Sequence, residues 1–371
     1  MQESYGGHYV PNFAHTIVTN QQNSTTKINF KGFMVGNAWT DAEIDNTGAA
    51  FYWWSHGLNY DDAFFGILDN CNMSGVGPLK SKTLQQAYNL RKASSFEEQS
   101  GDSCEHYQNL ATEQMGNINI YDIYVDVCNG QDEAVVNHGN QLMKYLNRIG
   151  STSGKNLHSP GSGLRRESAR KLAGSDGADG GSKNYDPCIA NKVSTYLNRK
   201  DVQQAIHARD IGRPWRDCSN IVDYSREDLL TSMIPVYQDL LKTGIRMMVY
   251  SGDVDAIVPI TGTRAWLEVL DLPIKSEWRS YTVDGQVGGY TMEYDGLTFT
   301  SVRNAGHMVS TVFFGDIVYS LFDSFVSVLN AGSVYATKPS VTHFQTIFEW
   351  STNVEQVGRR NEVHLKVKRV A

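Results

Sequence analysis

The sequence predicts an α/β fold, and three observations carry that expectation. Within the first 40 residues an apolar helical repeat is followed at once by a short apolar strand. Two more strand-like runs, residues 245–252 and 297–302, each lead into a turn containing Gly with Asp or Asn. Long stretches of helical or irregular character separate these strands, as an α/β layer arrangement requires.

The elements follow in order. Residues 8–19 carry Val10, Phe13, Ala14, Ile17 and Val18 at helical spacing, with Pro11 near the first turn. Residues 27–35 read as a buried strand ending at Gly36-Asn37. From 41 to 148 the chain reads as mostly helical and irregular, with Phe51, Tyr52, Trp53, Trp54 and Tyr60. Residues 149–184 turn to Gly, Ser, Asp and Arg, a composition that cannot bury a core and reads as a loop or linker. A helix is expected at 230–243, then the strands IRMMVYSG (245–252) and LTFTSV (297–302). From Val309 to Leu329, residues Phe314, Ile317, Val318, Leu321, Phe322, Phe325 and Leu329 recur at helical spacing. Asp316 and Asp323 interrupt the run, so it reads as a core helix and not a membrane span. The last 35 or so residues are polar and end basic, as a solvated tail does.

Composition excludes several classes. The chain has 371 residues, 33 Lys+Arg against 40 Asp+Glu and a net charge of −7, which argues against a general nucleic-acid binder. Hydrophobic residues at 40 % and aromatics at 11 % supply a sizeable core and exclude global disorder. Gln2-Glu3-Ser4 follow Met1 with no basic n-region and no apolar h-region, so no signal peptide is read in this chain. The sequence has no H-E-x-x-H, no paired C-x-x-C and no G-x-x-x-x-G-K-[ST]. No metal and no cofactor are therefore expected. Five cysteines are an odd number, which in a secreted protein leaves one thiol over.

Three short segments could carry chemistry. Glu3-Ser4-Tyr5-Gly6 is half of a G-x-S-x-G nucleophile elbow, with a helix after it, but Gln2 holds the first position and no strand is read before it. Tyr250-Ser-Gly-Asp-Val-Asp255 follows a strand, where a carboxylate can orient a histidine. Asn304-Ala-Gly-His307-Met308 also follows a strand. Singly, each reads as well as an ordinary Ser, an Asx turn or a turn histidine. Together their order is Ser, Asp, His, which is the α/β-hydrolase order.

Longer stretches carry a resemblance to the serine carboxypeptidase family. Glu3-Ser-Tyr-Gly-Gly-His-Tyr-Val-Pro11 resembles that family's G-E-S-Y-A-G-H-Y-V-P, and Lys31-Gly-Phe-Met-Val-Gly-Asn37 resembles K-G-x-x-V-G-N. Tyr185-Asp-Pro-Cys188 with the stretch to His207, Ser251 to Pro259, and Ala305-Gly-His-Met308 resemble further blocks, so the likeness spans residues 3 to about 330.

The resemblance implies an α/β-hydrolase fold with a mainly helical insertion, or cap. Residues 1–40 and 231–332 would form the core and 41–230 the insertion with its linker at 149–184, leaving 333–371 as an irregular tail. It implies exopeptidase chemistry on peptide or protein substrates. Ser4 would be the nucleophile, His307 the general base and acid, Asp255 its orienting partner, and the Tyr5 N–H one oxyanion donor. Glu3, if protonated, would donate to the substrate's terminal carboxylate, which favours acidic pH; the alternative is a structural Glu capping the elbow helix. Cys71 with Cys104 and Cys128 with Cys188 would be bridged and Cys218 left unpaired, although four cysteines alone allow three pairings.

Departures from the family pattern add further expectations. The family's N-G-G-P-G-C-S-S segment and its upstream strands are absent, which reads as an N-terminally truncated chain with the first strands of the sheet missing. The Cβ of Gln2 should crowd the elbow, and Ser310 stands where the family has Pro. Asn23-Ser-Thr and Asn72-Met-Ser fit glycosylation acceptors, and Arg165-Arg166 or Arg170-Lys171 could be linker cleavage points. For the intact protein the resemblance implies a vacuolar, lysosomal or extracellular setting. The family includes dimers, but the sequence offers no interface signature. Two alternatives stay open: an acyltransferase of the same family, and a non-catalytic fragment.

Overall fold

A mixed six-stranded sheet organises the molecule. In the computed structural model, residues 1–21, 23–25, 28–71, 73, 81–86, 104–128, 188–216, 225–283 and 285–309 are described. The linker at 149–184 with both basic pairs, Asn72, Cys218, Ser310, the tail at 333–371 and nearly all of the helix expected from Val309 onward lie outside them.

In chain order the elements are β1 (Gln2–Ser4), α1 (Gly6–Asn20), β2 (Gly32–Ala38), α2 (Ala42–Ser55), α3 (Asp61–Asn70) and α4 (Cys104–Met115). Then come α5 (Ile189–Leu197), α6 (Lys200–Ala205), α7 (Arg226–Leu230), α8 (Ile234–Leu241) and β3 (Arg246–Gly252). Last are α9 (Ile260–Val269), β4 (Ile274–Val283), β5 (Gln286–Tyr294) and β6 (Leu297–Val302). The sheet order is β1-β2-β3-β6-β5-β4. The first four strands are parallel, while β5 runs antiparallel to both β6 and β4. The C-terminal ends of β1, β2, β3 and β6 therefore share one edge, the edge where open α/β sheets hold their ligands.

Burial explains the strands. β2 and β3 are buried along nearly their whole length, the pattern of parallel strands covered on both faces. Phe33, Val35, Met247, Val249, Leu297 and Phe299 form one core with Ile44, Tyr237, Leu240 and Trp266 from the helices. A second core joins Tyr52 and Trp53 of α2 to Phe64 and Ile67 of α3 and Tyr107 and Ala111 of α4. Asp41 caps α2 by accepting from Ile44 N at 3.1 Å, and Glu43 lies in the same first turn, at the helix's positive end. α2 meets α9 closely at two glycines, since a Cβ on Gly48 would lie 2.4 Å from the Gly262 backbone.

Several expectations change. A strand does precede the elbow: Gln2–Ser4 pairs parallel with β2. The strand read at 27–35 begins later, at Gly32, because its partner begins at Arg246, and Ile28 lies 46 % exposed outside the pairing. The helix read at 230–243 is present but shorter, Ile234–Leu241, with Pro235 in its first turn; a separate helix ends at Leu230. The β4–β5 hairpin was not expected from the sequence at all.

Candidate active site

The strand ends bring the elbow, acid and histidine segments to one edge. Ser4 ends β1 with φ +62°, a left-handed conformation that Ser rarely adopts. α1 begins two residues later, and Ser4 O receives Trp39 N at 2.9 Å. Strain of this kind is typical of a strand–turn–helix elbow that holds a side chain out at its tip.

Gln2 is accommodated by Gly6. A Cβ on Gly6 would lie 2.5 Å from the Gln2 Cβ, so only one of these positions can carry a side chain. The family stretch places Gly first and a small Ala last; this chain exchanges them. The expected crowding at Gln2 is thus relieved across the turn. Gly7 is needed separately, because a Cβ there would lie 2.1 Å from Trp39 O.

Asp255 and His307 form a buried pair. His307 Nδ1–H donates to Asp255 Oδ2 at 2.8 Å, the acceptor-only carboxylate fixing the tautomer. Asp255 is fully buried and His307 nearly so. The Asp255 carboxylate also receives Ile257 N at 2.9 Å, Val258 N at 3.3 Å and Asn37 Nδ2 at 2.8 Å. Burial pulls the imidazole down, but the charge and hydrogen bond of Asp255 and the charge of Glu3 outweigh it, so the His307 pKa lies above its ordinary value.

Asn37 is the residue that the motif reading missed. It sits where the β1–β2 register skips from Glu3↔Gly36 to Ser4↔Ala38, and its φ is +37°. Besides Asp255, its Nδ2 donates to Val258 O at 3.2 Å, and its Oδ1 receives Gly252 N at 2.9 Å. It therefore ties the end of β2 to both sides of the acid loop. In the sequence it shows only as a Gly36-Asn37 pair at a strand's end, which does not by itself mark this role.

Residues 120–123 strap the histidine and acid loops. His307 N donates to Tyr121 O at 2.7 Å, Ala256 N to Ile120 O at 2.9 Å and Ile123 N to Val254 O at 3.1 Å. The rings of Tyr121 and His307 lie 5.3 Å apart. Gly306 permits this approach, since a Cβ there would lie 2.2 Å from Tyr121 O.

Glu3 stands next to Ser4 at the sheet edge. Burial pushes its carboxyl above the ordinary value, and His307 and the chain's amino terminus draw it only part of the way back. Tyr5 is buried, its hydroxyl donates to Asp228 Oδ2, and its backbone leads into the N-terminus of α1. His8 stacks on Tyr5 at 4.6 Å, and burial lowers its pKa against the charges of Asp228 and Asp41. The structure pairs Cys71 with Cys104 and Cys128 with Cys188. Among the described residues no group of His, Cys, Asp and Glu could hold a metal ion, and no helix is long and apolar enough to cross a membrane.

Fold and edge geometry define an α/β-hydrolase. The family model described as serine carboxypeptidase matches residues 1–327, and the chain belongs to that family. It is 36 % identical to serine carboxypeptidase-like 25 of Arabidopsis thaliana over 310 residues, covering 83 % of this chain and 56 % of that protein. It is 35 % identical to serine carboxypeptidase 24 of the same plant, with the same shares covered. The chain thus spans a little over half the length of these relatives. The fold is similar to that of Kex1ΔP, a prohormone-processing carboxypeptidase from Saccharomyces cerevisiae, with a TM-score of 0.52 and 18 % identity over 91 % of this chain and 62 % of the other.

Proposed function

We propose that this chain carries the catalytic centre of a serine-type carboxypeptidase, releasing C-terminal residues from peptides through an acyl-enzyme. The buried 2.8 Å pair of His307 and Asp255, on the same sheet edge as the strained Ser4, carries this reading. His307 takes the Ser4 hydroxyl proton as Oγ attacks the scissile carbonyl, then passes it to the nitrogen of the departing residue. Water attacks the acyl-enzyme, gives its proton to His307 and releases Ser4 with that proton. Asp255 holds the ring and stabilises the imidazolium. The Tyr5 N–H stabilises the oxyanion, a donor whose loss typically costs roughly 100- to 1000-fold in rate.

Glu3 recognises the substrate. Protonated, it donates to the terminal carboxylate; ionised, it repels it. Its raised pKa favours the protonated form in mild acid. The hydrolase core is assigned to residues 1–40 and 231–332 and the cap to 41–230. Two disulfides favour an oxidising compartment, so a vacuolar, lysosomal or extracellular setting is assigned. Asn23, exposed in a turn after α1, suits a glycan there.

The test is release of the last residue from an N-blocked dipeptide at acidic and neutral pH, beside its C-terminal amide. We expect faster release from the free acid, strongest in acid. Transfer to an added alcohol in preference to water would instead assign the acyltransferase chemistry. No turnover of either kind would leave a non-catalytic role.

A further inference from the structure

One register row crosses the parallel strands through Glu3 on β1, Gly36 on β2, Tyr250 on β3 and Thr300 on β6. Paired residues of parallel strands point to the same face, about 4.8 Å from strand to strand. Gly36 puts no side chain into the row, and the Tyr250 ring fills its place. A Cβ on Gly36 would lie 2.0 Å from the ring's Cε2 and 2.5 Å from its phenolic oxygen. The hydroxyl end of Tyr250 therefore reaches across β2 toward β1, where Glu3 stands on the same face. Burial and then the charge of Glu3 raise the pKa of the phenol. Tyr250 is only 4 % exposed, and its hydroxyl has no hydrogen-bond partner among the described residues. A buried hydroxyl in that state costs stability, so a site that retains one calls for a use.

We propose that Tyr250 is a positioning residue for recognition of the substrate's terminal carboxylate: its hydroxyl, unsatisfied in the free chain, donates to one oxygen of the Glu3 carboxyl group when substrate is bound. A protonated carboxyl has one proton and two oxygens. Donation from Tyr250 to one oxygen disfavours the proton there and leaves it on the other, where it meets the incoming carboxylate. Gly36 is the residue that lets the ring reach. This inference rests on the reading of Glu3 given above.

The experiment is calorimetric binding of an N-benzoyl dipeptide and of its C-terminal amide, in a Ser4→Ala background that cannot turn them over. Tyr250→Phe keeps the ring and removes only the hydroxyl. We expect it to weaken the acid about 5- to 10-fold, the effect of one lost hydrogen bond, and to leave the amide unchanged. Because it deletes an unsatisfied group, the melting temperature should hold or rise. Unchanged acid affinity, or equal weakening of acid and amide, overturns the proposal. Glu3→Gln is measured in parallel. If it abolishes the preference for the acid while Tyr250→Phe keeps it, only the role of Tyr250 falls. If the Ser4→Ala chain shows no preference for the acid, the reading of Glu3 falls and this inference with it.

Discussion

Asn37 Nδ2 and His307 Nδ1 converge on the same oxygen, Asp255 Oδ2, each at 2.8 Å. One carboxylate oxygen is thus fixed from two directions, by the end of β2 and by the loop after β6. A hydrogen bond to a charged group contributes about 1.5–3 kcal/mol, equivalent to roughly 10- to 100-fold in rate if expressed in the transition state. Asn37→Gly should lose about that much kcat while sparing the backbone its left-handed strain. Asn37→Ala should lose the same activity and melt lower still, because Ala resists a φ of +37°. Steady-state kinetics and thermal melts of the two variants check this.

Ser4 separates strain from chemistry in the same way. Both Ser4→Ala and Ser4→Gly should abolish turnover. At φ +62° only Gly is comfortable, so Ser4→Gly should be more stable than Ser4→Ala by about 1 kcal/mol. Denaturant midpoints of the two give the comparison.

The exchange of Gly and side chain across the elbow is testable as a coupled pair. Gly6→Ala alone places a Cβ 2.5 Å from that of Gln2 and should cost about 1–3 kcal/mol. Adding Gln2→Gly should recover most of that loss. A double-mutant cycle without coupling would show that the turn relaxes elsewhere.

Glu3 sets the expected pH response of substrate binding. Its carboxyl titrates above the ordinary value, and the titratable groups beside it are His307, the chain's amino terminus and the neutral phenol of Tyr250. KM for a free-acid substrate should rise as pH climbs through that raised pKa, with KM for the amide staying level. Glu3→Gln, a neutral donor at every pH, should flatten the profile.

Asp122 on the strap beside the histidine loop links pH to stability. Burial, followed by the charges of Asp255 and Asp253, pushes its carboxyl up to about 6, against the pull of backbone donors at Tyr124 and Val125. The folded chain then holds this proton more tightly than the unfolded chain does. Its contribution is complete below the ordinary value of 3.8 and declines as pH rises toward about 6. Asp45, raised to about 8, acts with the same sign over a wider window. Asp122→Asn should melt increasingly above the parent across the lower window. Parallel melting curves would contradict the assignment.

Much of the fold was legible because its strands announce themselves. Residues 297–302 coincide with β6, and 245–252 nearly so with β3, since parallel strands buried on both faces read as continuous apolar runs. The β4–β5 hairpin was not legible as alternation, because β4 is mostly exposed on both faces. Its signal was the Asp-Gly pair 284–285, whose glycine takes φ +75°; a second pair, 295–296 with φ +83° at its glycine, joins β5 to β6. In the site, the order Ser4, Asp255, His307 could be read from motif and family likeness. Asn37 could not, because its role depends on a register skip between two strands. Nor could the relation of Glu3 to Tyr250, which needs Gly36 between them in one row.

The central claim is that Ser4 is a nucleophile activated by His307, and covalent labelling tests it most directly. The folded chain is treated with a fluorophosphonate and the adduct mapped by mass spectrometry, beside His307→Ala. We expect one adduct, on Ser4, lost or slowed at least about 100-fold in the variant. A chain that melts cooperatively yet leaves Ser4 unlabelled, or labels equally well without His307, would contradict it.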